Sequence, residues 1–232
     1  MKVKVPCTCY APVDFEYDEI VDLSQNPEAA NQIMAGSFME VKCPKCGKVL
    51  HPEFPFTVKH DGKKIDIQFL PERMRDEYLR GISKYCFKKD GRIVIGFPEL
   101  AEKLKIINEG FDDRIIEVIK YYMVSKIEAD QKPENEIRAF FECTDKDGNL
   151  VYQVLGLKDN EAAQITIPKS FYEVCKIKTL AYQKSEPFCL FLSPPYISLL
   201  RISRVYEEIT EPEKPAEKPA AIDKPAEEKK PE

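Results

Sequence analysis

The chain has 232 residues, enough for one large or two modest domains with cores of their own. Its apolar fraction is 43% and its formal net charge is -5, so no overall basic field draws it to nucleic acid or anionic lipid. The opening residues Met1 to Cys7 lead into no apolar signal core, and no run is long enough to span a bilayer, so a soluble cytoplasmic protein is expected. In a reducing compartment its eight cysteines point to metal ligation or burial rather than to a disulfide framework.

Val13-Asp14-Phe15-Glu16-Tyr17 alternates apolar with acidic residues, the pattern of a half-buried strand. Asn26-Pro27 supplies a capping side chain and a first-turn proline for a helix that Gly36 closes. Phe38-Met39-Glu40-Val41 predicts a strand running into Cys43-Pro44-Lys45-Cys46-Gly47. The runs Phe54 to Val58 and Ile65 to Phe69 flank His60-Asp61-Gly62 and predict a hairpin.

From about 71 to 129 the period becomes helical. Pro71 to Arg80 predicts a short charged helix ended by Gly81, and Pro98 to Glu109 a second with Leu100, Leu104 and Ile107 on one face. Asp112 and Asp113 cap a third, striped by Ile115, Ile119, Tyr122 and Met123, so that an antiparallel helix pair covers a sheet face. Strands return over 133–209. Ile137 to Cys143 and Leu150 to Val154 form a hairpin about Asp147-Gly148-Asn149, and Ile165 to Pro168 ends a further strand. A short helix starts at Ser170, and Pro194-Pro195 breaks the chain before Ile197 to Val205. Glu211 to Glu232 holds five prolines and three Lys-Pro-Ala units, with Ile222 its single large apolar residue. It buries too little to offset the entropy of ordering and reads as a solvated tail.

A structural zinc site needs four soft, deprotonated ligands at tetrahedral angles, assembled from two short cysteine turns. Cys43-Pro44-Lys45-Cys46-Gly47 is one such turn, with two residues between the thiols, a proline that fixes the bend and a glycine that tolerates positive φ. Cys7-Thr8-Cys9 is a tighter one. The 33 residues between Cys9 and Cys43 suffice for a strand, a helix and a returning strand. Cys7, Cys9, Cys43 and Cys46 are therefore the predicted ligands of one structural Zn2+. The competing readings are four buried thiols, or a redox couple, for which the adjoining βαβ pattern is missing. His51 and His60 are alternative ligands, each with a plainer role on a loop or in a hairpin turn. Cys86, Cys143, Cys175 and Cys189 are isolated in apolar context and are assigned to core packing.

The expected fold class is α+β: a zinc-stapled small β-sheet with one helix at the N-terminus, a helix pair, then a C-terminal β-rich region. The corresponding units are residues 1–130, divided into a zinc-binding β segment over 1–72 and a helical segment over 73–130, then a β-rich α+β unit over 131–209 and the tail over 210–232.

Other signals are weaker. Asp145-Lys146-Asp147-Gly148-Asn149 looks like a calcium loop, but its glycine comes two places early and the twelfth position is not Glu, so it reads as a hairpin turn. Lys84, Tyr85, Phe87, Lys88, Lys89 and Arg92 form a basic-aromatic stretch that reads as a solvated face, and nucleic-acid binding is not expected. No GxxxxGK[ST], GxGxxG, GxSxG or HExxH occurs, and no carboxylate pairs with a histidine or nucleophile, so no catalytic residue is assigned. Tyr121-Tyr122 and Phe140-Phe141 should each place one ring in the core and one at its rim.

From Val5 to about Ile127 the sequence resembles the CpXC domain proteins of bacteria and archaea. The resemblance rests on the paired cysteine turns, the Asn-Pro-Glu helix ending in Gly36-Ser37, and the hairpin ending in Phe69-Leu70-Pro71-Glu72. It extends through Phe97 to Lys103 and Gly110 to Glu117. It implies a metal-binding fold and no particular activity. The family is defined by two CPxC motifs, and this chain departs at the first, where Pro6 precedes Cys7 and only Thr8 separates the thiols. The cysteine spacing alone is also similar to the zinc switch of a redox-regulated heat-shock chaperone, in which the motif is C-terminal. The expected function is a non-enzymatic, zinc-stabilised binding or scaffold protein with a protein partner and no membrane. The alternative is a thiol redox switch, or a chaperone-like protein regulated through the same thiolates.

Overall fold

A computed structural model describes residues 1–63, 65–81, 91–159 and 161–202. The tail, Cys86, the stretch from Lys84 to Lys89 and residues 203–205 lie outside the described residues.

The N-terminal third is built from short strands. β1 (Lys2–Pro6) and β2 (Pro12–Glu16) form an antiparallel hairpin, and the alternation read from Val13 to Tyr17 places Val13 and Phe15 inside. β3 (Ile20–Asp22) precedes α1 (Pro27–Ala35), where the Asn26 side chain accepts from the Ala29 N–H and Gly36 closes the helix at φ 76°. β4 (Val41–Lys42) and β5 (Val49–Leu50) are a second small hairpin. β6 (Phe56–His60) and β7 (Ile65–Leu70) form the predicted hairpin, joined by a single 3₁₀ turn over Asp61–Lys63. With β8 (Arg92–Ile95) they make a mixed sheet of order β3-β6-β7-β8, antiparallel at its centre and parallel at both outer pairs.

The strand expected over Phe38 to Val41 is shorter than its sequence suggests. Phe38 and Met39 form a turn, Met39 has φ 62°, and only Val41 and Lys42 pair. The chain must reverse directly after the α1 cap, and the Phe38 ring is spent on the core, 5.6 Å from the ring of Phe56.

A 3₁₀ turn (Glu72–Met74) and α2 (Arg75–Leu79) lead towards β8; α3 (Phe97–Asn108) and α4 (Asp113–Gln131) follow it. β9 (Arg138–Thr144), β10 (Leu150–Lys158) and β11 (Glu161–Ile167) form an antiparallel sheet with β10 in the middle. α5 (Lys169–Tyr182) and α6 (Phe188–Phe191) complete the described chain. The architecture is α+β, with small sheets and the cysteine cluster first, helices in the middle and strands after them.

Two large cores lie on either side of α3. Leu100 and Leu104 join Phe56, Val58, Ile67, Phe69 and Val94 of the mixed sheet and Ile33 of α1. Ile106 joins Ile116 and Ile119 of α4, Phe141 and Tyr152 of the C-terminal sheet, and Cys175 and Phe191. Each such fully buried side chain contributes about 1.5–3 kcal/mol by removal from water. α3 is thus the beam shared by both halves, where the predicted stripe of Leu100, Leu104 and Ile107 accounts for one face only.

Buried charge fastens these layers. Glu99, Glu102 and Glu117 are all buried, and each accepts a backbone N–H from a different segment: Ile95 at 2.9 Å, Phe141 at 2.7 Å and Leu199 at 2.7 Å. The Lys120 ammonium lies 3.0 Å from Glu102 and 2.8 Å from Glu117. Asp112 caps α4 through the Arg114 N–H as read, but Asp113 has a different task. It is buried and pairs with Arg92 at 2.8 Å and Lys103 at 3.0 Å.

Three further expectations meet the structure differently. Cys143 is exposed, not packed in the core. Val151 pairs with Cys143 but Tyr152 with Phe141, so Glu142 is an extra residue in β9, and this bulge turns Cys143 outward. Cys175 is buried as expected and Cys189 half-buried. The segment from Ile197 forms no strand as far as Ile202; Pro195, just before it, meets β8 by accepting the Ile93 N–H at 2.9 Å. Phe141 is in the core with Phe140 at its rim, whereas Tyr121 and Tyr122 both sit at the rim.

Candidate metal centre

Two hairpin loops carry the four N-terminal cysteines. In the β1–β2 loop the Tyr10 N–H bonds the Cys7 carbonyl at 2.9 Å and the Cys7 N–H bonds the Ala11 carbonyl at 3.0 Å. This is a tight turn ended by one left-handed residue, Tyr10, at φ 62°. The β4–β5 loop repeats the plan. The Gly47 N–H bonds the Cys43 carbonyl at 2.9 Å, the Cys43 N–H bonds the Lys48 carbonyl at 2.8 Å, and Gly47 takes the left-handed position at φ 75°. Glycine fills that position without strain; tyrosine does not.

The loops face each other. All four sulfurs lie within 4.8 Å of one another, and two close pairs cross between the hairpins: Cys7 to Cys46 at 3.6 Å and Cys9 to Cys43 at 3.7 Å. A tetrahedral tetrathiolate with metal–sulfur bonds of about 2.3 Å has sulfur–sulfur edges of about 3.8 Å, so the donors stand where one ion would hold them. Cys7 and Cys43 are buried, Cys9 is half-buried and Cys46 is exposed. Val13, Val41 and Leu50 pack around the inner pair, and Lys48 reaches across to the Thr8 hydroxyl at 3.3 Å, tying one loop to the other.

The backbone is arranged to favour thiolates. The Cys9 N–H donates to the Cys7 sulfur and brings its thiol down to about 6. The Cys46 N–H, followed by that of Lys45, lowers Cys43 in the same way. The Lys48 N–H also favours a thiolate at Cys46, yet its thiol is pushed up to about 11 because its proton is shared with the sulfurs of Cys9 and Cys7. Four negative sulfurs this close repel one another, and a divalent cation among them removes that repulsion. The donor set and its spacing fit such an ion.

The sequence-predicted ligands are therefore brought together, all four. The histidines are not. His51 lies 3.7 Å from Glu40, and among the described residues the one cluster able to hold a metal is the four cysteines. Asp145 accepts from the N–H groups of Asp147 and Asn149, closing a hairpin turn and not a calcium loop. Sequence reasoning missed the equivalence of Tyr10 and Gly47; the signal was a non-glycine residue directly after the second thiol of the first turn. No helix among the described residues is long and apolar enough to cross a membrane.

A protein of Treponema pallidum (strain Nichols), itself described as uncharacterised, is 24% identical over 188 residues, covering 74% of this chain and 85% of its own length. No solved structure matches. The family model for the CpXC protein matches residues 5–120, half of the chain, taking in both cysteine turns, the mixed sheet, α3 and the start of α4. The chain belongs to the CpXC protein family.

Proposed function

We propose that Cys7, Cys9, Cys43 and Cys46 hold a structural Zn2+ and that the protein is a non-enzymatic binding or scaffold protein acting on a protein partner. The observation that carries this reading is the interlocked set of sulfurs, with the two hairpins contributing one member to each close pair at 3.6 and 3.7 Å. Four thiolates complete zinc's preferred coordination and leave no open position for water or substrate, which is the arrangement of structural sites and not of catalytic ones. In small modules such a site supplies roughly 10–16 kcal/mol of folding free energy, more than the few apolar contacts around Cys7 and Cys43 contribute by themselves. Removing the metal with a thiol-reactive mercurial and a chelator should abolish hydrogen-exchange protection over β1, β2, β4 and β5 and leave β9–β11 protected. Unchanged protection of the first hairpins would sink the proposal.

The exposure of Cys46 favours one second reading, a thiol redox switch on the same ligands. Mild peroxide would then release zinc and leave disulfides linking Cys7 to Cys9 or Cys43 to Cys46, restored by dithiothreitol. Thiols that stay metal-bound under that treatment reject this reading and leave the structural one standing.

A further inference from the structure

α5 is fastened to the molecule by one face, and among the described residues nothing covers the other. Tyr172, Cys175 and Thr179 are buried, three and four residues apart, as expected of a helix lying on a core. The opposite face carries Ile177 at 70% exposure and Leu180 at 66%, with exposed Val174 beside them. Three exposed large apolar side chains thus stand together on the outer side of one helix of 14 residues. Scattered single apolar residues on a surface are ordinary, but a contiguous row on one element marks a contact surface.

The row has an order that names its partner. Among the exposed positions along α5, Glu173, Ile177, Leu180 and Lys184 form one row, spaced four, three and four residues apart and flanked by Val174, Lys176 and Ala181. That spacing is the seam of a two-helix packing, in which apolar residues recur every 3.5 residues on average. Gln183 keeps right-handed φ and ψ and its N–H still bonds the Thr179 carbonyl at 3.0 Å, so Lys184 continues the row just beyond the helix. Glu173 and Lys184 are exposed, and neither is in an ion pair among the described residues.

Laid antiparallel against itself about a two-fold axis, this row is complementary at every step. Ile177 meets Leu180 of the second copy, and Glu173 meets its Lys184; by symmetry each contact occurs twice. A parallel pairing would set Glu173 against its own copy and Lys184 against its own, and would lose both ion pairs. A two-fold interface must be self-complementary in this sense, one surface serving both partners. We infer that the outer face of α5 is a homodimer interface, in which two copies of this chain pair their α5 helices antiparallel through Ile177 and Leu180, with Glu173–Lys184 ion pairs at both ends. One helix face per copy is a small interface, so the dimer is reversible, with a dissociation constant on the order of micromolar.

Sedimentation equilibrium of the full-length, metal-loaded chain over a concentration series tests this. The expected result is a rise with concentration from one chain mass, 26.7 kDa, to two. Ile177→Glu, at an exposed position that leaves folding and metal content intact, should stay at one chain mass throughout. Glu173→Lys alone and Lys184→Glu alone should each weaken the dimer about tenfold, the equivalent of about 1.4 kcal/mol. The double charge reversal should return it to near the original strength, because opposite charges again face each other. A monomer at every concentration, a dimer indifferent to Ile177→Glu, or a double reversal no better than either single change would each overturn the inference. Circular dichroism and metal content of every variant show that folding has not changed.

Discussion

Tyr10 ends the first cysteine turn in a left-handed conformation that costs a non-glycine residue about 1–2 kcal/mol, and at 96% exposure its ring regains nothing by packing. The second turn, built on the same plan, uses Gly47. Tyr10→Gly should therefore raise the stability of the metal-loaded chain by up to about 1 kcal/mol with metal content unchanged, measured by urea unfolding; a loss of stability would show that the ring makes a contact on which folding depends. Asp113 tells the opposite story. Its carboxylate is buried between Arg92 and Lys103, whose positive charges hold it well below the usual carboxylate range against the effect of burial. Asp113→Asn would leave Lys103 buried and unpaired, and should cost about 3–5 kcal/mol in the same assay. A change below about 1 kcal/mol would mean that water reaches the pair.

At the scale of elements, α3 and α4 are held to the surrounding strands by carboxylates as much as by apolar packing. Two buried carboxylates, Glu102 and Glu117, share the single ammonium of Lys120. Burial and the neighbouring Glu117 charge outweigh that ammonium and push Glu102 up to about 7. A carboxyl whose folded value lies above its unfolded value holds a proton in the native chain that the unfolded chain has already lost. Stability should therefore fall as pH rises from about 4.5 through about 7. Thermal melts across that window should show the decline, and Glu102→Gln should flatten it, since the amide still accepts from the Phe141 N–H; an equal slope in the variant would assign the decline to another group.

Elements were legible in the sequence where local chemistry decides them. Asn26, Pro27 and Gly36 bounded α1 correctly, and Asp145 to Asn149 marked the β9–β10 turn. What escaped were features set by distant neighbours. Phe38 looks like a strand residue, yet its ring is taken by Phe56 and Phe97 across the core. Cys143 looks buried by period, yet the bulge at Glu142 turns it outward. Nothing local marks Glu99, Glu102 and Glu117 as buried, since only tertiary structure brings backbone donors of other segments to them.

At the scale of the molecule, the N-terminal hairpins and the C-terminal sheet differ in what holds them. The C-terminal half has a large core drawing on α4, α5 and all three strands, whereas the cysteine hairpins bury just Val13, Phe15 and two thiols among the described residues, bordered by a few half-buried neighbours. Metal removal should therefore act on one end of the chain. The candidate site was readable from sequence because a ligand set is local chemistry: two short turns, each with its thiols and a following bend. Its completion was less readable, since the meeting of Cys7 with Cys46 and of Cys9 with Cys43 depends on the fold that lies between them.

The central claim is that these four thiolates hold one zinc ion, and native mass spectrometry of the purified chain tests it most directly. One zinc per chain is expected, lost in Cys43→Ser and in Cys7→Ser while the C-terminal sheet stays folded. Less than half an equivalent in the unsubstituted protein, or zinc retained by Cys43→Ser, would contradict it.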